Sequence, residues 1–448
     1  MLPLALILRA QGVKVAGSDR ALDQGRTAPK FEFLKNQGIT LFAQDGSGIT
    51  DLRQIVVVSA AVEDTVPDVV SAKRVGAAML GRAELLSDLF NEAPVSIGVA
   101  GTSGKSTTTG MIGWILKATG RDPTVMNGAV MTNFVSPDVP FASSLVGKSG
   151  IFVSEVDESD GSIARYTPTV AVVNNVSLDH KSMDELRALF RDYVTKAKVA
   201  LLNLDNAETA ALLPGAKKTI TYSLVDASAD LFASGIKPAP DGIAFDLAAH
   251  DAKWRVNLKV PGRHNVSNAL AALAAAEAGG VKLSESVPAI EGFRGVRRRL
   301  EVVGTVNGIT IIDDFAHNPD KIAATLSTLH DFPGRLLIMF QPHGFSPLQK
   351  MRTEFIDGFA TGLARNDVLL MPEPVYFGGT TTREVTSEDI AAGIRASGRN
   401  ALALADRTAC GEKLLELAKP GDRIVVMGAR DDTLTTFAQE LLMALAKR

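Results

Sequence analysis

Short apolar runs rich in Val and Ile recur along the chain, separated by segments whose apolar residues repeat at helical spacing. That rhythm predicts parallel α/β units. In the first section an apolar helical stretch from Leu4 to Leu8 leads through Gly12 to a strand at Val13–Ala16, closed by Gly17-Ser18-Asp19. Further strands are predicted at Ile39–Phe42 and Ile55–Ser59. A nucleotide-binding α/β unit ordinarily opens on a strand and a glycine turn. This chain opens inside what reads as the following helix, so the expectation is either a first domain that lacks its first strand or a natural start upstream of Met1.

In the second section the pattern predicts strands at Val95–Val99, Ile151–Val153, Val170–Val173 and Val199–Leu202. A β-rich insertion is expected from Ile220 to Leu258, before a helix at Asn265–Ala278. The third section places strands at Ile309–Ile312, Arg335–Phe340, Val368–Met371, Ala401–Leu404 and Arg423–Met427, most followed by a helical pattern. This reads as a doubly wound parallel sheet. The expected domains are residues 1–92, 93–297 and 298–448.

Composition narrows the function. Lysine plus arginine is 47 against 50 for aspartate plus glutamate, a net charge of −3, so no global basic field marks a nucleic-acid binder. Cys410 is the only cysteine, which excludes intramolecular disulfides and cysteine-cluster metal sites. No uninterrupted apolar run reaches the ~18 residues of a spanning helix. The apolar start has no basic residue before it and runs after Arg9 into GVKVAGSD rather than a cleavage site, so a cytoplasmic protein is expected.

The candidate chemistry begins after Val95–Ala100. Gly101-Thr102-Ser103-Gly104-Lys105-Ser106-Thr107 is a glycine turn followed by a helix that places Met111, Trp114, Ile115 and Ala118 on one face and stops at Gly120. Glycines let backbone N–H groups converge on phosphate oxygens, and the helix N-terminus adds a favourable dipole. Lys105 is expected to reach the β/γ-phosphates and the Ser106 hydroxyl to sit on Mg²⁺. Two polar clusters follow further strand ends: Ser154-Glu155-Val156-Asp157-Glu158-Ser159-Asp160, and Asn174-Asn175 with Asp179-His180. Open α/β sheets bind ligands at such ends, and Mg²⁺ needs only one or two carboxylates beside substrate phosphates.

Together, GTSGKST, EVDESDGS, NNVSLDH, GRHNVSNALAA, FRGVRRRLE, IIDDFAHNP and FQPHG resemble the Mur ligase family over nearly the whole chain, most closely its branch acting on UDP-N-acetylmuramate. The resemblance implies a Rossmann-like first domain, a central P-loop ATPase-like domain and a Rossmann-like C-terminal domain. It implies an ATP-dependent ligase that activates a UDP-muramyl-like carboxylate as an acyl phosphate and joins it to an amino acid or peptide, with two Mg²⁺ ions. By matched position it implies that Lys105 and Ser106 hold phosphate and the first metal, with Glu155 as a further ligand and His180 on the second metal. His264, Asn265 and Asn268 match adenine-binding positions. Arg299 and Asp314 match contacts to γ-phosphate and ribose, while Asn175, His317 and His343 point to the substrates. For Arg298 and Arg299 the alternative is a solvated charge run, and for Asn268 it is helix capping. A monomer or homodimer is expected, with small-molecule partners, no nucleic acid and no membrane. The rivals are a Mur-like ligase for another substrate, of folylpolyglutamate or cyanophycin type, and a nucleotide-binding paralogue without ligase activity. The stretches after His180 and His343 depart from the alanine-adding pattern, which leaves the amine open.

Overall fold

The computed structural model describes residues 1–59, 62–178, 181–239, 242–374, 384–429, 431 and 433–448. The chain is mixed α/β, with a ten-stranded sheet, a six-stranded sheet and two small two-stranded parallel sheets. Two compact units divide it. The first holds residues 1–235, 245–257 and 265–294; the second holds 236–244, 258–264 and 295–448.

In the first unit, Val95–Ala100 is the centre of the arrangement. It pairs in parallel with Ile151–Glu155 on one side and Val170–Val173 on the other. Val199–Asn203 and Thr219–Ser223 continue the sheet beyond Val170–Val173, and Thr124–Met126 continues it beyond Ile151–Glu155. After Val95–Ala100 the chain builds Thr124–Met126 and Ile151–Glu155 on one side and then crosses to Val170–Val173 on the other, so the strand order reverses beside Val95–Ala100, the point at which open sheets form a ligand crevice. The core below it packs Phe90, Phe152, Tyr166, Phe190 and Tyr193. The helix Lys105–Ala118 is buried on more than the single face expected: Thr108, Thr109, Ile112 and Leu116 are enclosed along with Met111 and Ile115.

The second unit contains the sheet Glu301–Val306, Ile309–Asp314, Arg423–Gly428, Leu336–Gln341, Val368–Pro372, Asn400–Leu404 in that spatial order. All its pairs are parallel except the first. One face packs against helices Pro319–His330, Arg352–Gly362 and Ser387–Ala396, through Leu326, Phe355, Phe359 and Ile390. The other packs against Arg407–Leu417 and Thr433–Ala446, through Leu414, Leu434 and Leu441. Helices on both faces give the doubly wound arrangement its period.

Most expected strands are present with ends moved by a residue or two. The strand expected at Val13–Ala16 forms at Ala16–Ser18, because its partner Thr40–Phe42 offers only three residues for pairing. Thr124–Met126, Ser144–Leu145, Ala78–Gly81 and Glu301–Val306 were not expected. The first three are too short to show a period. Glu301–Val306 is an edge strand with an irregularity between Val302 and Gly304, and it leaves Val302 half exposed.

Candidate active site

The strand Val95–Ala100 ends in a loop that only glycine can form at two points. Gly101 has φ +132° and Gly104 has φ +84°. A Cβ on Gly104 would stand 2.5 Å from Asn268 Oδ1 and 2.8 Å from Asn174 Nδ2. The following helix starts at Gly104 with no side-chain cap, so its first N–H groups remain available to an anion. The loop is braced from the neighbouring strand end. Thr102 N–H donates to Asn175 O (3.1 Å), and the Thr102 hydroxyl donates to Ser177 O (3.1 Å). Ser103 N–H donates to Asn175 Oδ1 (2.9 Å), and Asn175 Nδ2 donates back to Ser103 O (3.2 Å). Asn175, matched to the substrate side, thus has a loop-holding contact here.

Lys105 folds back over the loop. Its Nζ donates to Gly101 O at 2.7 Å and to both oxygens of Glu158, at 3.1 and 2.8 Å. Burial pushes the Glu158 carboxyl above its ordinary value, against the pull of Lys105. Glu158 was not singled out by the sequence; its only signal was its place in the acidic turn after Glu155. Ser106 and Glu155 are tied to one connector. Asn127 Nδ2 donates to Ser106 O (3.0 Å), and the next N–H, of Gly128, donates to Glu155 Oε1 (2.8 Å). Ser106 and Thr107 are both buried at the helix start.

The adenine-matched residues separate. Asn268 is no cap: it is buried inside the helix Arg263–Ala278, accepting from the Thr108 hydroxyl (3.2 Å) and donating to Asn265 Oδ1 (3.0 Å). His264 is exposed in the second unit, with Nδ1 3.4 Å from Thr328 Oγ1. His180 lies outside the described residues.

In the second unit the arginine run is not a solvated surface. Arg298 is buried, with φ +58°; it pairs with fully buried Asp313 (3.3 Å) and donates to Gly428 O (2.7 Å) and Asp431 O (3.1 Å). Arg299 lies over the Phe315 ring, 4.5 Å from its centroid. Asp314 is buried, its oxygens accepting from Leu300 N–H (2.9 Å) and the Thr325 hydroxyl (2.6 Å). The fold brings His317 and His343 together, their rings edge to face at 5.2 Å, with Phe315 against His317 at 5.3 Å. His317 Nδ1 faces Phe315 O at 2.9 Å. A carbonyl only accepts, so Nδ1 carries the proton and Nε2 the lone pair. Burial, with Lys321, His343 and Arg299 nearby, lowers the His317 pKa to about 3.

The chemistry of these donors suits a nucleotide and a hard cation. An uncapped helix start, an ammonium and a hydroxyl are donors of the kind that bind phosphate, and a carboxylate at a strand end is a ligand type that suits Mg²⁺. Among the described residues no group of three or more His, Cys, Asp or Glu stands ready to hold a metal by itself. No described helix is long and apolar enough to cross a membrane.

Comparison with known proteins agrees along the chain. Residues 1–93 match the Mur ligase family catalytic domain, 99–276 the Mur ligase middle domain, and 298–430 the Mur ligase glutamate ligase domain. The chain is 35% identical over 441 residues to the UDP-N-acetylmuramate–L-alanine ligase of Geobacter sulfurreducens, covering 95% of this chain and 91% of the relative. It is 34% identical to the enzyme of the same name from Cereibacter sphaeroides strain ATCC 17029, covering 98% and 93%. Among solved structures, the UDP-N-acetylmuramate–alanine ligase of Thermotoga maritima superposes with a TM-score of 0.81, at 23% identity over 100% of this chain and 96% of that one. A murein peptide ligase from Psychrobacter arcticus does so at 0.72, with 27% identity over 100% and 97%. With its three α/β domains matched in order, the chain belongs to the Mur ligase family.

Proposed function

We propose that this protein is an ATP-dependent carbon–nitrogen ligase of peptidoglycan metabolism, coupling a UDP-N-acetylmuramate-like carboxylate to an amino acid or peptide through an acyl phosphate. The observation that carries this reading is the glycine loop at the sheet's reversal point, with Lys105 lying over it and Glu155 at the adjoining strand end. In this reading residues 1–92 bind the nucleotide sugar, 93–297 hold ATP and metal, and 298–448 recruit the amine. Mg²⁺ offsets phosphate charge when bound, with Ser106 and Glu155 on a first ion and His180 on a second. Lys105 and the free N–H groups of its helix orient the phosphates, since phosphoryl transfer asks mainly for positioning and charge neutralisation. His264, Asn265 and Asn268 serve the adenine; Arg299 and Asp314 serve the γ-phosphate and ribose. His317, neutral with its Nε2 lone pair, is suited to accept a hydrogen bond from the incoming amine beside His343.

The test is phosphate release from ATP and Mg²⁺ with UDP-N-acetylmuramate and a panel of amino acids and muropeptides. Release that needs both substrates supports the ligase and identifies the amine. Binding of ATP without release by any pair sinks it. Lys105→Ala should abolish turnover while circular dichroism shows the fold retained.

A further inference from the structure

An ammonium has three N–H donors and no acceptor. On Lys105 three acceptors lie within hydrogen-bond distance inside the protein: Gly101 O and both oxygens of Glu158. The pair is sheltered, with the lysine side chain 18% exposed and that of Glu158 5%. Salt screens such a pair much less than a surface one. The backbone of the turn that carries Glu158 is also held. Gly161 N–H donates to Glu158 O (3.1 Å), Ile163 N–H donates to Asp157 O (3.0 Å), and Ser159 N–H donates to the Asp157 side chain (3.0 Å). The backbone at Glu158 is thus fixed, while Lys105 reaches the carboxylate on a flexible stem.

We infer that Glu158 is a positioning residue that competes with nucleotide phosphate for Lys105, so that nucleotide binds by exchanging at least one Glu158 oxygen for a phosphate oxygen on Lys105 Nζ. The inference rests on the reading of Lys105 as the phosphate lysine. Without nucleotide, Glu158 keeps the ammonium stretched over the loop and its charge balanced. With nucleotide, the displaced carboxylate stands ready to take the lysine back, which favours departure of the diphosphate product. Release of product limits turnover in many enzymes, so a built-in competitor has a use there.

The experiment is calorimetric titration of ADP with Mg²⁺ into the full-length wild type, Glu158→Gln, Glu158→Asp, Lys105→Ala and the Lys105→Ala/Glu158→Gln double variant. Glu158→Gln is expected to lower the ADP Kd roughly tenfold, the weight of one charge-assisted hydrogen bond no longer exchanged. Glu158→Asp, which withdraws the carboxylate by one methylene but keeps its charge, is expected to tighten ADP by a smaller factor. In the Lys105→Ala background the Gln change is expected to alter Kd by less than about twofold, because the competition has lost its object. Tighter binding cannot come from a damaged fold. A folded Glu158→Gln that binds ADP as the wild type does, or more weakly, overturns the inference, as does a tenfold gain that persists without Lys105. Should Glu158→Gln not fold, weaker binding by a folded Glu158→Asp has the same force. Failure of the wild type to bind ADP is a separate result, and it overturns the phosphate-loop reading itself.

Discussion

His317 gives the second unit a measurable dependence on pH. Its folded-state pKa is lowered to about 3 from the ordinary 6.5, first by burial and then by Lys321, His343 and Arg299. Protonation would add a charge beside Lys321 and Arg299, in a ring already enclosed by Phe315 and His343. The unfolded chain takes up this proton near pH 6.5 and the folded one does not. Below that pH the unfolded state binds more protons, so stability is full above about 6.5 and falls as pH drops toward about 3. The slope is about 1.4 kcal/mol per pH unit, so the loss between pH 6.5 and 5 is ~2 kcal/mol. Both tryptophans, Trp114 and Trp254, belong to the first unit, so their fluorescence does not follow this loss. Amide hydrogen exchange of the buried strand Leu336–Gln341 does. The comparison is with His317→Asn, whose amide keeps a donor toward Phe315 O without titrating. The opening free energy of that strand in the wild type should fall with acid relative to the variant, by ~2 kcal/mol at pH 5. Parallel curves for the two proteins from pH 7.5 to 5 would refute the assignment.

Other expectations follow from buried groups. Tyr193 OH is enclosed with no hydrogen-bond partner among the described residues, so Tyr193→Phe should stabilise the first unit by ~1 kcal/mol in urea unfolding; a lower midpoint would contradict this. Asp313→Asn leaves Arg298 buried without its counter-charge and should cost about 3 kcal/mol, seen as faster exchange in Leu336–Gln341. Gly104→Ala forces a left-handed residue, at ~1 kcal/mol, and drives a methyl against Asn268 and Asn174. It should remove ADP binding while circular dichroism stays near wild type, and retained affinity would show that the loop tolerates the shift.

The sequence made the sheet strands and the phosphate loop legible because both rest on local signals: β-branched runs, and glycines at fixed distance from Lys105. It did not reveal what the side chains do across distance. Glu158 looked like one acid in a solvated turn, and only the fold brings it to Lys105, fifty-three positions away. Arg298 stood among three adjacent arginines, yet it is buried, because its left-handed backbone turns it toward Asp313 while Arg299 lies over Phe315. Asn175 was matched to the substrates by the family resemblance, and what the sequence did not show is that its two amide atoms close on Ser103. Long-range polar pairing has no period for a sequence pattern to show.

The amides around the loop form one directional chain, and its direction explains their identity. Tyr222 OH donates to Asn174 Oδ1 (3.3 Å), Asn174 Nδ2 to Thr108 Oγ1 (3.0 Å), Thr108 to Asn268 Oδ1 (3.2 Å), and Asn268 Nδ2 to Asn265 Oδ1 (3.0 Å). Each intermediate member must accept and donate at once, which an ionised carboxylate or a lysine cannot do. Asn174, Thr108 and Asn268 are buried, so any break leaves an unpaired polar group at a cost of ~1–3 kcal/mol. Loss of activity on changing Asn268 therefore follows from the loop's support alone and says nothing of adenine. His264 separates the two roles, because it is exposed and outside this chain of bonds. If His264→Ala weakens ATP binding while the melting profile holds, the histidine meets the nucleotide. If both hold, the adenine assignment of this segment falls, and Asn268 is accounted for by the loop it supports.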